Sequence, residues 1–411
     1  MKHCVIVGGG IIGLCSAYYL QKEGYSITVI DQSDITSGAS FVNAGYITPS
    51  HFIPLAAPGI IAQGIKYMFD SSSPFYMKPR LDKDFIKWAL LFGRSCTKSN
   101  VEKSVQNILD INLFSQKLFK EMKASNDFDF HLENKGLLMA FQDFRSEIHE
   151  ADIAEQAIKM GLRIDKLNKE QLLELEPGLI ANGAFHYHSD SHMTPSDFMK
   201  SMRNYLKKNG IKFKLNEQVI DIKPSLEKVE VETKKGTYNS DEIVIATGAW
   251  TEKIAKKLNI YIPIQAGKGY SISSYRPSGI TYPTILSEAK VAVTPMEGFT
   301  RFAGTMELAG LNSSISNKRV RTIANMAKRY YKNFEFSDQE IADATFGFRP
   351  VTPDGVPIIG KLNKFMNITI ATGHSMMGWS LGPGTGKLVS EIISKKTPSL
   401  NIDAFSANRK F

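Results

Sequence analysis

Cysteine is scarce in this chain, and long runs of any single chemistry are missing. Only Cys4, Cys15 and Cys96 occur in 411 residues. None stands in CxxC spacing, which argues against a disulfide framework or a zinc site and favours a reducing compartment. Cys4 falls in a predicted strand and Cys15 in a predicted helix, where cysteine serves as a small buried hydrophobe. No metal and no catalytic cysteine is therefore expected. A charged start followed by an apolar segment and a cleavage site is also missing, so the expected location is cytoplasmic. The 50 Lys and Arg exceed the 41 Asp and Glu, for a formal net charge of +9, but the densest basic clusters are the pairs Lys207-Lys208, Lys256-Lys257 and Lys395-Lys396. Nucleic-acid patches need runs of about five to eight basic residues. The expectation is a solvated basic surface with no nucleic acid partner.

With 43% hydrophobic and 22% charged residues, the composition is that of an ordinary globular protein, and the length exceeds what one core usually holds. His3 to Gly8 reads as a short apolar strand that runs into Gly8-Gly9-Gly10-Ile11-Ile12-Gly13. Ile11, Ile12, Leu14, Tyr18 and Leu20 then mark one face of a helix that Gly24 ends, and Ser26 to Ile30 alternates as a second strand. Asp31 closes that strand, 21 residues after Gly10. Such a βαβ opening binds a dinucleotide for physical reasons. Gly8, Gly10 and Gly13 allow the tight turn, the approach to a pyrophosphate and the helix–strand packing, the helix N-terminus offers free N–H groups, and the carboxylate meets a ribose hydroxyl. The stretch from Ile35 to Ile65 lacks Lys, Arg, Asp and Glu, yet Pro49, Pro54, Pro58 and four glycines interrupt it. It is a poor membrane span and a better candidate for a loop that shields a cofactor.

Further along, Pro79 to Gln171 reads as mainly helical, interrupted by a strand at Gly136 to Phe141. A helix over Pro195 to Asn209 precedes strands at Ile211 to Leu215, Val229 to Thr233 and Glu242 to Ala246. Between Pro263 and Gly310, short β-branched and aromatic runs alternate with turns, as in an antiparallel sheet, and Arg319 to Phe334 reads as a helix that covers it. Dinucleotide-fold character returns at the end, with a strand at Ile368 to Ala371, a glycine-rich loop and a helix over Gly386 to Ser394. The fold class expected is α/β, a Rossmann-type domain interleaved with an α+β substrate domain that carries the antiparallel sheet. Residues 1–50, 191–262 and 345–411 are assigned to the first, and 51–190 and 263–344 to the second.

Two segments bear on the choice between a flavin and a nicotinamide: the first is compatible with any strand end, and the second favours a flavin. Ile243 to Trp250 is a buried-type strand that ends at Thr247 and Gly248, and Gly373 to Gly386 has no ionisable side chain except His374. The latter empties into a helix whose positive end suits the negative edge of a reduced flavin. These segments, with Gly8 to Gly13, Ser40-Phe41-Val42-Asn43-Ala44-Gly45, Gly267-Lys268-Gly269-Tyr270-Ser271, the strand Ala303-Gly304-Thr305-Met306-Glu307, Gly347 to Gly355 and Gly373-His374, resemble in order the D-amino-acid-oxidase-type flavoenzymes, and within them the bacterial D-amino-acid dehydrogenases. The resemblance covers the whole chain. It implies noncovalent FAD and hydride transfer from the Cα of a D-amino acid or cyclic D-imino acid to flavin N5. The imino acid formed would hydrolyse to a keto acid and ammonia, and electrons would leave to a quinone or respiratory acceptor. Ser40, Asn43, Ala44, Gly45, Thr247, Gly248, Gly373, Gly378 and Gly382 join Gly8, Gly10, Gly13 and Asp31 as expected cofactor-binding residues.

A flavin supplies the electron acceptor, so the remaining need is a carboxylate clamp that aligns Cα. Arg349 lies where the family's Gly-x-Arg-Pro motif places its substrate arginine, and the competing reading is an ion pair with Asp354. Arg301 is a second candidate, set against a cross-strand role. Tyr270 is read as a carboxylate ligand or pocket lid, or else a sheet aromatic. His374 is read as a flavin or substrate contact, or else a structural histidine, and His51 is a weaker candidate of the same kind. Ser375-Met376-Met377 departs from the smaller stretch usual after that histidine, which leaves the substrate's identity open. Two other readings fit the sequence, an oxidase that passes electrons to dioxygen and a flavoprotein acting on modified tRNA, although the lack of basic runs weighs against the second. Transient contact of the Phe52 to Ile65 loop with the anionic inner membrane is a further expectation.

Overall fold

Burial decides the first strand. In His3–Val7 the side chains of Cys4, Val5 and Ile6 are fully buried, and each such aliphatic residue contributes roughly 1.5–3 kcal/mol of transfer free energy. That strand is central to a six-stranded sheet in the computed structural model, which describes residues 1–62 and 73–411. Its order is Lys212–Lys214, Ser26–Ile30, His3–Val7, Glu242–Ile245, Phe365–Thr372 and Ile358–Leu362. The first four pairings are parallel and the last is antiparallel. Strands from three separated stretches of chain thus build one dinucleotide-type sheet, as the interleaved reading anticipates.

The first helix, Ile11–Lys22, ends as Gly24 requires and packs against the last helix, Gly382–Ile393. That last helix begins four residues before the expected Gly386 because Gly382 and Gly386 lie directly on Ile11 and Cys15 of its partner. The glycines predicted as loop therefore form a smooth helical face for close packing.

A second, nine-stranded sheet runs Thr345–Val351, Gln265–Ser274, Phe299–Leu308, Val291–Met296, Thr284–Leu286, Leu137–Phe141, Gly183–Tyr187 and Ile164–Asn168, with Phe75–Met77 alongside Phe299–Leu308. It is mainly antiparallel, with parallel pairings of Thr284–Leu286 to Leu137–Phe141 and of Phe299–Leu308 to Phe75–Met77. Helix Asn317–Tyr330 packs against it through Val320, Ile323 and Ala327. Ile164–Asn168 escapes the sequence pattern because it is an edge strand without a fully buried residue.

At Thr305 the long strand Phe299–Leu308 changes partners. Phe299 to Gly304 pair with Val291–Met296, whereas Met306 to Leu308 pair with Phe75–Met77. The other edge shifts register at the same point, between Lys268 and Tyr270 of the neighbouring strand. Thr305 takes a φ of +64°, a left-handed conformation that is costly for a β-branched residue.

The uncharged loop turns inward over its described part. Phe52 and Ala56 are buried, and Ile53, Leu55 and Ile60 line the main cavity. Residues 63–65 of the segment expected at a membrane lie outside the described residues. Among the described residues no helix is long and apolar enough to cross a membrane.

Candidate active site

A cavity of about 1420 Å³ extends from the carboxyl ends of the parallel strands to the long antiparallel strands. It exceeds the roughly 300–1,000 Å³ of ordinary small-ligand sites and so has room for a dinucleotide together with a substrate. Gly8, Gly10, Asp31, Ser40, Asn43, Ala44, Thr247, Gly248 and Gly378 line it, with Tyr270, Arg349 and His374.

At the dinucleotide end, the chemistry follows from the glycine turn. The first helix starts at Gly10 with no side-chain cap from that residue and no acid in its first turn, so its positive end suits an anionic pyrophosphate. Ser40 Oγ reaches across to accept the Ile11 N–H at 3.0 Å. The Asp31 carboxylate accepts from the Gly9 N–H at 2.6 Å and from the N–H and hydroxyl of Ser33, both at 2.7 Å. Residues of this kind fit the diphosphate and ribose of FAD.

Four expected cofactor contacts do not line the cavity. Gly13 sits under the loop, where an added Cβ would fall 1.8 Å from the Gly8 carbonyl oxygen; its role is to let helix and strand approach. Gly45 backs onto Met193, Gly373 onto Thr352 and Gly382 onto Ile11. Asn43 Oδ1 accepts the Gly45 N–H at 2.8 Å, which shapes the turn that presents Ala44.

Arg301 supports that same turn. Its Nη1 donates to the Asn43 carbonyl at 2.8 Å and its Nε to Ser273 Oγ, across the sheet, at 3.2 Å. The guanidinium is buried away from the cavity wall and is spent on loop carbonyls and a strand neighbour, in line with the cross-strand reading.

Arg349 is placed differently. Asp354, its sequence-level rival partner, is instead engaged by Arg409 at 2.8 and 3.1 Å. Among the described residues no carboxylate forms an ion pair with Arg349; Nη1 donates to the Thr305 carbonyl at 2.6 Å. The residue is half-buried, desolvation pushes the guanidinium pKa down to about 10, and it lines the cavity. A Cβ on Gly269 would fall 2.2 Å from Arg349 Nη1, so the glycine of the Gly267-Lys268-Gly269 turn makes room for the guanidinium face. Thr305, bent into its left-handed conformation, turns its carbonyl to the arginine and leaves its own buried hydroxyl without a partner. The Thr305 strand is legible in the sequence but the bend at Thr305 is not, because backbone strain has no residue-type signature there.

Tyr270 is among the residues lining the cavity, but its side chain is buried and its hydroxyl donates to Glu307 at 2.8 Å. Glu307 also pairs with Arg319 at 3.1 Å and Lys268 at 3.8 Å. His374 Nε2 bonds Thr385 Oγ1 of the last helix at 2.9 Å, and burial pushes the imidazole down to about 3. His51 meets Ser50 Oγ at 2.9 Å, and its burial lowers it to about 4. Both histidines are neutral near pH 7. Met376 and Met377 line the cavity, Met376 exposed and Met377 packed beside Asn112.

Comparison with known proteins places this geometry. Residues 3–392 match the family described as FAD dependent oxidoreductase (DAO). A D-amino acid dehydrogenase of Vibrio vulnificus (strain CMCP6) is 33% identical over 405 residues, covering 95% of each chain. That of Vibrio atlanticus (strain LGP32) is 31% identical over 424 residues, covering 98% of this chain and 99% of its own. Among solved structures, glycine oxidase from Geobacillus kaustophilus shares the fold with a TM-score of 0.79 at 20% identity, over 100% of both chains. L-proline dehydrogenase from P. horikoshii does so with a TM-score of 0.71 at 20% identity, over 98% of this chain and 96% of its own. The protein belongs to the DAO family of FAD-dependent oxidoreductases.

Proposed function

We propose that this enzyme dehydrogenates a D-amino acid or cyclic D-imino acid at the Cα–N bond and passes the electrons to a quinone or respiratory acceptor. The observation that carries the reading is Arg349, a cation at the cavity wall that has no carboxylate partner among the described residues. Even a half-buried cation without a counter-ion carries a desolvation cost, and a substrate carboxylate would supply the missing charge through two charge-assisted hydrogen bonds. FAD, when bound, supplies the two-electron acceptor for hydride leaving Cα.

The protein's part is to hold and shield. Thr305 fixes one edge of the guanidinium through its carbonyl, and Gly269 leaves its face clear. Ile53, Leu55, Met306 and Phe348 provide apolar wall that excludes water, which strengthens the ion pair. No neighbouring histidine is needed as a base if the amine enters neutral, and burial keeps His51 and His374 uncharged near pH 7. Support for the D configuration comes from the two Vibrio relatives, both named D-amino acid dehydrogenases. Met376 and Met377, adaptable apolar side chains, are proposed to shape the room left for the substrate side chain.

The test is anaerobic mixing of flavin-loaded enzyme with D- and L-amino acids, including D- and L-proline, while flavin absorbance is followed. Bleaching by D-enantiomers is expected. If no D-amino or imino acid bleaches the flavin, the assignment fails. Reoxidation by a soluble quinone, with peroxide formation in air far below substrate turnover, is the expected acceptor behaviour; peroxide equal to turnover would make the enzyme an oxidase.

A further inference from the structure

Away from the cavity, three short strands bring two histidines and a glutamate together. Leu132–Glu133 and Tyr46–Ile47 flank Ser191–Met193, with Glu133 and Tyr46 both opposite His192. His131 and Glu133, two residues apart, share one face of that ribbon, where His192 joins them. His131 Nε2 lies 3.4 Å from Glu133 Oε1, and His192 Nε2 lies 3.7 Å from Glu133 Oε2. One ligand atom from each residue can be chosen so that all lie within 4.8 Å of one another.

His192 singles out this cluster. Its side chain is 0% exposed, yet neither ring nitrogen makes a well-formed hydrogen bond; what faces the ring is the Pro295 backbone and the Glu133 carboxylate at 3.7 Å. Buried polar atoms are nearly always satisfied, and the flavin chemistry makes no use of this one. His131 is already oriented as a ligand would be. Its Nδ1 meets Thr194 Oγ1 at 3.0 Å, a hydroxyl that also accepts the Glu297 N–H at 2.8 Å. The tautomer with hydrogen on Nδ1 uses the second lone pair of that oxygen and frees Nε2 toward Glu133, the arrangement by which a neighbouring acceptor orients a metal-bound imidazole.

We infer that His131, Glu133 and His192 form a binding site for a divalent transition-metal ion of the zinc type, separate from the flavin site. Two imidazoles and one carboxylate match zinc or cobalt and do not suit calcium or magnesium, which take oxygen ligands. Donors bound to one tetrahedral zinc at about 2.0–2.1 Å stand about 3.3 Å apart, so the three donors, now within 4.8 Å of one another, must draw together by up to about 1.5 Å. Glu133 now also pairs with Lys135 at 2.7 Å. That ammonium belongs to a half-exposed, flexible side chain and can swing into solvent when a cation arrives. The ion would pin the ribbon whose outer strand carries Tyr46 into the cavity wall, giving the site a structural role.

The test is equilibrium dialysis of chelator-treated, flavin-loaded enzyme against Zn²⁺ or Co²⁺, with bound metal measured by atomic emission. One ion per chain is expected, and bound Co²⁺ should give visible d–d absorption that Zn²⁺ abolishes. His131→Ala and Glu133→Gln change partly exposed residues and so leave the core intact; each should weaken binding at least tenfold. Lys135→Met, which removes the competing ammonium, should tighten it. Failure to take up one ion per chain, or unchanged affinity in His131→Ala and Glu133→Gln, would overturn the inference whatever the enzyme's substrate proves to be.

Discussion

Replacing Arg349 with methionine separates a substrate clamp from a structural cation, because the two roles predict stability changes of different size. In the free enzyme the guanidinium carries the desolvation cost that holds its pKa near 10 and has, among the described residues, one bond, to the Thr305 carbonyl, to set against it. Methionine keeps much of the volume and removes the charge. The lost hydrogen bond is worth about 0.5–1.5 kcal/mol, and relief from burying an unpaired charge offsets it, so unfolding stability should change by less than about 1 kcal/mol. Turnover should change far more. Removing one partner of a buried ion pair costs about 3–5 kcal/mol, which at about 1.36 kcal/mol per decade lowers kcat/KM by roughly two to four orders of magnitude. The measurements are anaerobic stopped-flow reduction by the best D-amino acid and urea unfolding of wild type and variant, each with flavin content checked. A variant that keeps normal reduction kinetics yet loses more than about 2 kcal/mol of stability would refute the clamp.

Gly13→Ala forces a Cβ to within 1.8 Å of the Gly8 carbonyl oxygen, so the helix must draw back from the diphosphate turn; fluorescence titration should show FAD affinity reduced by at least about a hundredfold, and a variant purified with stoichiometric flavin would contradict this. Tyr270→Phe removes a hydrogen bond to Glu307, which keeps Arg319 and Lys268; a stability loss of about 1–2 kcal/mol with flavin reduction within about threefold of wild type is expected, whereas a large loss of reduction would assign the hydroxyl to substrate. His374 is held from 6.5 down to about 3 by burial, so the folded state binds fewer protons than the unfolded chain between those values. Its contribution is present above pH 6.5 and is lost as pH falls, about 2 kcal/mol between pH 7 and 5. The stability difference between wild type and His374→Gln should shrink over that interval, and a difference independent of pH would show that the imidazole is not held neutral.

Elements whose pattern is local were legible from residues alone. Strand, glycine turn, helix and second strand at His3 to Ile30 need only apolar periodicity and glycine placement, and they stand where expected. The edge strand Ile164–Asn168 was not legible, because it has no fully buried residue to set a period. Nor was the early start of the last helix, since the glycines that read as loop are required by a helix remote in sequence. Candidate site residues divide along the same line. Gly8, Gly10 and Asp31 act through their own neighbourhood, whereas the roles of Gly373, Gly45 and Gly382 depend on what the fold packs against them.

By itself the sequence determined a dinucleotide site, an interleaved pair of sheets and an arginine suited to a carboxylate. Which cation would serve was a tertiary decision, because charge compensation depends on distance across the fold. Asp354 stands five residues from Arg349 yet is taken by Arg409, Arg301 is consumed by the carbonyl of Asn43, and Arg349 is left facing the cavity with, among the described residues, the Thr305 carbonyl alone, turned toward it by a kink where one strand changes partners.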